Sequence, residues 1–407
     1  MKTTGKDIDF REARDIMLDA AEAVEIERIL LENCTGRILA QDLVAAENVP
    51  AFDRSPYDGY AFRAKDAAEA SYENPITLKI LEEVAAGAVP TKVVTEGTAV
   101  KILTGAPIPQ GADVVVMYEK TTFTEKEVIL TEPVKNGENI VRAGEDIRLG
   151  DVLAERGTVI DCGIAGTLAS QGDFYPQVYR RPRIGLISTG NEVVDSKEQI
   201  PAGKIRNTNR YLLAAEVLRN GCEPIYLGRA GDSINEIKEL LEKGLQTCDA
   251  LLLTGGVSVG DYDLTPTAME QSGIHILVQG VGMKPGMACA YGEKDGKTVY
   301  GLSGNPASAL TGFYAVVMPV LRKLAGRKEY IPQEIVVTLA DDFTKASRCT
   351  RLLRGRLDIS DGTAKIRISG KQGNVVISSA IGCDVLAIVP AGSGPLNAGT
   401  ELKGILL

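Results

Sequence analysis

Past Arg180-Arg181-Pro182-Arg183 the chain takes on a rhythm that few folds accommodate: short apolar runs alternating with longer segments of helical periodicity. Arg183-Ile184-Gly185-Leu186-Ile187-Ser188, Pro224-Ile225-Tyr226-Leu227-Gly228, Ala250-Leu251-Leu252-Leu253, the run containing His275, and Thr298-Val299-Tyr300-Gly301-Leu302 read as buried strands. Between and after them, residues 210–220, 234–245, 265–271 and 306–324 read as helices, with Gly221 placed to close the first in a left-handed conformation. Apolar strands joined by helices predict a mostly parallel, doubly wound α/β sheet covered on both faces.

The rest of the chain has another texture. At 407 residues it exceeds one core, since domains hold about 100 to 200 residues each. Residues 10–31 carry Ala13, Ile16, Met17, Ala20, Ala23, Val24 and Ile29 at helical spacing, which predicts one amphipathic helix. Residues 36–63 are dense in Pro, Asp and Gly and read as loop, while 76–159 alternate apolar and polar residues as β-structure does. Beyond Ile331-Pro332, short strands and glycine turns predict a small terminal β-domain.

Composition removes several chemistries. Forty-five Lys+Arg against 54 Asp+Glu leave a net charge of -9, which repels polyanions and argues against nucleic acid as a partner. No run reaches the ~18 apolar residues of a membrane span, and Met1 to Phe10 hold no secretory-type stretch, so the expectation is a cytoplasmic protein. The seven cysteines are scattered without a C-x-x-C pair and read as buried thiols. His275 is the only histidine, so His-based metal sites and Ser-His or Cys-His nucleophiles are excluded. Acid-base and metal work falls to carboxylates, Lys or Tyr.

In open α/β sheets, ligands gather beyond the carboxyl ends of the strands. The loops expected there are Ser188-Thr189-Gly190-Asn191-Glu192, Gly231-Asp232 and Thr254-Gly255-Gly256-Val257-Ser258-Val259-Gly260-Asp261-Tyr262-Asp263. Glu192, Asp232 and Asp263 on one rim would repel each other without a cation and are candidate ligands for Mg²⁺; alternatively Asp232 and Asp263 are plain helix caps. Gly255, Gly256 and Gly260 permit amides to turn inward toward phosphate oxygens. In Ser303-Gly304-Asn305-Pro306-Ala307-Ser308, Asn305 fits a cap and Pro306 a first helical position, a helix start that favours an anion or is simply capped. Lys284, in Met283-Lys284-Pro285-Gly286, is an oxoanion candidate or a solvated lysine.

Outside the sheet region, Asp58 sits among Phe52, Pro56, Tyr57 and Tyr60, Thr104-Gly105-Ala106-Pro107 ends a strand, and Gly144-Glu145-Asp146 forms an acidic turn. Lys345, Arg348, Arg351, Arg354 and Arg356 make an acid-free basic stretch, either a solvated face or an anion clamp.

These motifs, in this order and across nearly the whole chain, resemble the molybdopterin molybdenumtransferase family (MoeA and the E-domain of gephyrin). The resemblance rests on Ser55-Pro56-Tyr57-Asp58-Gly59-Tyr60-Ala61, Leu103-Thr104-Gly105-Ala106-Pro107, Gly144-Glu145-Asp146, Ser188-Thr189-Gly190-Asn191-Glu192, Thr254-Gly255-Gly256-Val257-Ser258-Val259-Gly260, Lys284-Pro285-Gly286 and Gly304-Asn305-Pro306-Ala307-Ser308. It implies a multidomain α/β plus β fold. An elongated N-terminal scaffold (1–50 and 140–178) would carry an inserted β-domain (51–139), followed by a pterin-binding α/β domain (179–328) and a C-terminal β-barrel (329–407). It implies a homodimeric enzyme that inserts molybdenum from molybdate into adenylylated molybdopterin, using a divalent cation and releasing AMP.

By motif, the resemblance implies that Asp58, Thr104, Asp146, Glu192, Asp232 and Asp263 serve catalysis, the last three holding the metal. Thr189, Gly190, Gly255, Gly256, Ser258, Gly260, Ser303, Gly304 and Asn305 would bind the cofactor precursor, with Lys284, Pro285, Ser308, Arg354 and Asn374 near the molybdate and phosphate positions. Gly280 and Met287 stand where many members are basic, and Asn374 where Ser is frequent, which predicts a less positive anion site. A partner adenylyltransferase and cofactor-accepting apoenzymes are also implied. Two other readings compete: an adenylyltransferase acting on the same pterin, which would leave 1–175 and 330–407 without purpose, and a non-catalytic gephyrin-like scaffold, against which the carboxylates weigh.

Overall fold

The computed structural model describes residues 3–4, 8–195, 197, 199–257 and 264–407. It divides into two compact units, one of Met1–Gln41, Arg156–Ala165 and Tyr175–Leu407, the other of Asp42–Glu155 and Gly166–Phe174.

In the larger unit a seven-stranded sheet runs in the order Thr3–Thr4, His275–Gln279, Ala290–Lys294, Lys297–Leu302, Ala250–Thr254, Arg183–Thr189, Glu223–Ala230. Arg183–Thr189 pairs in parallel with Glu223–Ala230 and with Ala250–Thr254, which pairs in parallel with Lys297–Leu302. Helices Thr208–Arg219, Ile234–Thr247 and Thr265–Gln271 connect the strands as periodicity predicts, and Gly221 takes a φ of 81° after the Asn220 cap. Ile184, Leu186 and Leu252 pack in one apolar cluster while Ile187, Leu251 and Leu253 pack in another, so each strand buries both faces.

Three local expectations change. The strand Ala290–Lys294 was not anticipated; it makes the sheet mixed by pairing antiparallel with both His275–Gln279 and Lys297–Leu302. Its two-residue turn, Asp295 (φ 52°) and Gly296 (φ 75°), is the Asp-Gly hairpin signal. The first helix spans only Phe10–Asp19, with Phe10, Ala13 and Met17 buried, because Ile26–Arg28 pairs instead with Gln177–Tyr179. The helix expected over 306–324 is interrupted by a π-turn at Phe313–Val317, between Pro306–Gly312 and Met318–Leu324. Pro319 lacks the N–H that would bond one turn back, and the ladder widens ahead of it.

Past this helix, Glu334–Leu339, Thr350–Asp358, Lys365–Ile368, Val385–Val389 and Glu401–Leu406 form a five-stranded barrel closed by pairing of Thr350–Asp358 with Val385–Val389. Val337, Leu353, Ile366, Val385 and Ala387 fill it.

The smaller unit centres on a six-stranded sheet in which Gly59–Phe62 lies between Thr98–Ile102 and Val114–Met117. Tyr60, Phe62, Leu78, Ile102 and Leu130 are its largest buried side chains. No helix among the described residues is long and apolar enough to cross a membrane.

Candidate functional site

The carboxyl ends of the parallel strands converge as expected. A cavity of about 420 Å³ is lined by Thr189, Glu192, Gly255, Gly256, Ser303, Gly304 and Asn305, together with Ser188 and residues 205–209. A second, of about 340 Å³, shares Thr189, Glu192, Gly255 and Gly256 with the first and adds Gly190 and Asp232. Both fall in the size range of small-ligand sites.

The glycines hold the loops tightly packed. Gly255 has φ +103°, and a Cβ there would lie 2.4 Å from Thr189 Oγ1; at Gly190 (φ +116°) it would lie 2.4 Å from Glu192 Oε2. Of the glycines expected to turn amides inward, Gly255 has its N–H engaged, donating to the Leu302 carbonyl at 3.0 Å, and Gly260 lies outside the described residues; the Gly190 N–H donates to the Ala230 carbonyl at 3.1 Å. Thr189 Oγ1 donates to the Thr254 carbonyl at 3.1 Å, tying two neighbouring loops.

Asp232 is not a helix cap. Ser233 Oγ caps helix Ile234–Thr247, and the Glu236 carboxylate accepts from Gly231 N at 2.6 Å, leaving Asp232 exposed. Glu192 is likewise exposed, and among the described residues neither carboxylate has a hydrogen bond or ion pair. Ser258, Gly260 and Asp263 lie outside the described residues. Among those described, no group of three or more His, Cys, Asp or Glu is placed to hold a metal; Glu192 and Asp232 share the second of these two cavities.

At the helix start, Asn305 occupies the cap position and Pro306 the first turn, but the anion expectation meets a structural occupant. The amides of Ala307 and Ser308 donate to the Asn374 carbonyl at 3.1 and 3.3 Å. Arg354 secures that loop. It is fully buried: Nε donates to Ser379 Oγ at 2.7 Å, Nη2 to the Gly373 carbonyl at 3.3 Å and Nη1 to Thr311 Oγ1 at 3.4 Å. Burial pulls its pKa below the usual arginine value. All three guanidinium nitrogens thus donate to groups of the protein. Ser308 and Pro285 are buried, whereas Lys284 is exposed and in register with Arg351.

In the smaller unit, Asp58 Oδ1 accepts from both N and Oγ1 of Thr104, each at 2.7 Å. The backbone N–H, then the hydroxyl, hold this carboxyl below the usual range. Tyr60 is buried near Tyr118 and Phe123, with Lys101 Nζ paired to Glu83 at 2.7 Å, while Tyr57 and Phe52 are largely exposed. Burial pushes the Tyr118 phenol up to about 12. Asp146 is exposed in its turn, its N–H donating to the Val49 carbonyl at 3.0 Å. The residue that holds this turn was missed from sequence: Asp53 accepts from Ala143 N at 2.8 Å and Arg142 Nη1 at 2.6 Å.

Also missed was the wall at 205–209. Asn207 caps helix Thr208–Arg219, its Oδ1 accepting from Arg210 N at 3.3 Å and from Ser188 Oγ at 3.1 Å. Asn209 Nδ2 donates to the Gly304 carbonyl at 2.9 Å. The Asn207-Thr208-Asn209 cap signature was the available signal.

Known proteins match this arrangement from end to end. Residues 8–172 match the MoeA N-terminal region (domain I and II), 185–323 a probable molybdopterin binding domain, and 336–407 the MoeA C-terminal region (domain IV). A molybdopterin molybdenumtransferase of Staphylococcus aureus strain Mu50 is 36% identical over 401 residues, covering 98% of this chain and 95% of the relative. One from Staphylococcus epidermidis strain ATCC 35984 is 35% identical over 400 residues, again covering 98% and 95%. The crystal structure of a molybdopterin biosynthesis MoeA protein from Pyrococcus horikoshii is 32% identical with a TM-score of 0.85, covering 99% of this chain and 100% of that one. With identity above 30% sustained over 98% of its length, the chain belongs to the molybdopterin molybdenumtransferase family.

Proposed function

We propose that this protein is a molybdopterin molybdenumtransferase that takes molybdate and adenylylated molybdopterin, inserts molybdenum at the dithiolene and releases AMP. The observation that carries the reading is the pair of adjoining cavities, which share Thr189, Glu192, Gly255 and Gly256 and together provide room for a fused-ring head and a nucleotide.

The chain's own groups have distinct parts. The loops at Thr189, Gly190, Gly255, Gly256, Ser303, Gly304 and Asn305 shape the pocket and exclude alternative poses. Ser258 and Gly260 belong to the same loop by sequence. Glu192 and Asp232, joined by Asp263, would hold a divalent cation, and their unpartnered carboxylates on one cavity suit a hard ion. Such a cation neutralises charge at a phosphoanhydride. Asp58, oriented by Thr104, and Asp146 serve the reaction, and Lys284, Pro285, Ser308 and Asn374 serve the oxoanion, with Arg354 bracing the Asn374 loop.

The reading includes a four-region division (1–50 with 140–178, 51–139, 179–328, 329–407), a cytoplasmic homodimer whose cleft draws on both subunits, and exchange with an adenylyltransferase and cofactor-accepting apoenzymes. Its test is turnover of adenylylated molybdopterin with and without molybdate and Mg²⁺. Molybdate-stimulated, Mg²⁺-dependent AMP release is expected. ATP-dependent adenylylation of molybdopterin without such release would overturn it in favour of an adenylyltransferase.

A further inference from the structure

Among the described residues, the larger of these two cavities has two charged residues in its lining, Glu192 and Arg206. Arg206 ends the short strand Ile205–Arg206 and is exposed two residues ahead of helix Thr208–Arg219. Three other cations of this region are already engaged. Lys204 Nζ donates to the Asn191 carbonyl at 2.7 Å, Arg210 pairs with Asp195 and lies 3.8 Å over the Tyr226 ring, and Arg229 donates to the Val193 carbonyl. Among the described residues the Arg206 guanidinium has no hydrogen bond or ion pair.

An unpaired surface arginine is ordinary; its surroundings make this one informative. The same wall holds the start of a twelve-residue helix, whose positive end favours an anion. Asn209, 8% exposed, lines that wall and keeps it in place, its Nδ2 donating to the Gly304 carbonyl at 2.9 Å. The competing helix start at Pro306 has its Ala307 and Ser308 amides engaged by Asn374, so it does not supply donors to a ligand.

We propose that Arg206 is the phosphate-binding residue of this cavity, gripping two oxygens of one phosphoryl group with its guanidinium fork beside the start of helix Thr208–Arg219. This rests on the reading that the cavity holds the adenylylated pterin. The planar fork matches phosphate in a way a lysine does not.

The test uses the full-length chain with Arg206→Ala, Arg206→Gln and Arg206→Lys, and calorimetric binding of AMP, adenosine and molybdopterin. The neutral variants should weaken AMP or molybdopterin by roughly tenfold or more, the scale of a charge-assisted hydrogen bond, and leave adenosine unchanged. Arg206→Lys should recover only part. A loss with AMP assigns the adenylyl phosphate, and a loss confined to molybdopterin assigns the pterin's own; both uphold the proposal. Unchanged binding of both in a neutral variant that melts like wild type overturns it. Wild-type molybdenum insertion is assayed in parallel: its absence, with phosphate-selective binding intact, would overturn the proposed function and leave Arg206 assigned.

Discussion

Asp58 and the Glu192–Asp232 pair are all loop carboxylates, yet they are held in opposite ways. Asp58 is fixed by two donors from Thr104 and kept below the usual carboxyl range, whereas Glu192 and Asp232 share a cavity with no bonding partner among the described residues. A carboxylate already supplied with donors is an oriented acceptor. Carboxylates left unsupplied are open ligand positions, able to take a cation without first breaking a bond. The smaller unit thus presents a preorganised group and the larger unit a receptive one.

The largest expected effect breaks this contrast directly. Asp58→Asn and Glu192→Gln should each lower AMP release by about 10²- to 10⁴-fold, the range for loss of a catalytic carboxylate. Only Glu192→Gln should raise the Mg²⁺ concentration giving half-maximal rate. An identical Mg²⁺ response in both variants would erase the distinction.

A smaller effect is expected from Gly190→Ala. The new Cβ, 2.4 Å from Glu192 Oε2 at φ +116°, displaces the carboxylate and strains the backbone. Left-handed strain of about 1–2 kcal/mol should lower the melting temperature by a few degrees and weaken Mg²⁺ dependence in the same assay. Wild-type melting and Mg²⁺ response would mean that the Gly190–Glu192 packing does not set the site.

The smallest effect sharpens the other side. Thr104→Val removes the hydroxyl donor to Asp58 and leaves the backbone N–H. The Asp58 pKa, depressed in the wild type, should rise toward the ordinary carboxyl value in a carboxyl NMR titration. Because a depressed carboxyl stabilises the fold above its unfolded pKa and loses that contribution as pH falls through the folded one, the variant's acid-side stability curve should flatten. An unmoved Asp58 titration would place its control elsewhere.

Much of the α/β region was legible because its signals are local. Apolar runs marked Arg183–Thr189 and Ala250–Thr254, the helix Thr265–Gln271 was bounded correctly, and Asn305-Pro306 announced a helix start. The carboxyl-edge rule then leads to Thr189, Glu192, Gly255 and Asp232, which share one cavity. The hairpin strand Ala290–Lys294 was missed despite its Asp-Gly turn, since its glycine and charged residues dilute the apolar pattern.

What the sequence determined by itself was periodicity, punctuation and the order of the motifs, each encoded by residues a few positions apart. Tertiary structure alone decided which partners those groups found: Ile26–Arg28 joined Gln177–Tyr179 instead of extending a helix, Asn374 took the amides at Pro306–Gly312, and Arg354 went inside against Ser379 and Thr311. Arg206 was left with a cavity for a neighbour. A hydrogen bond between residues far apart in the chain depends on how the intervening chain packs, and no local spacing specifies that.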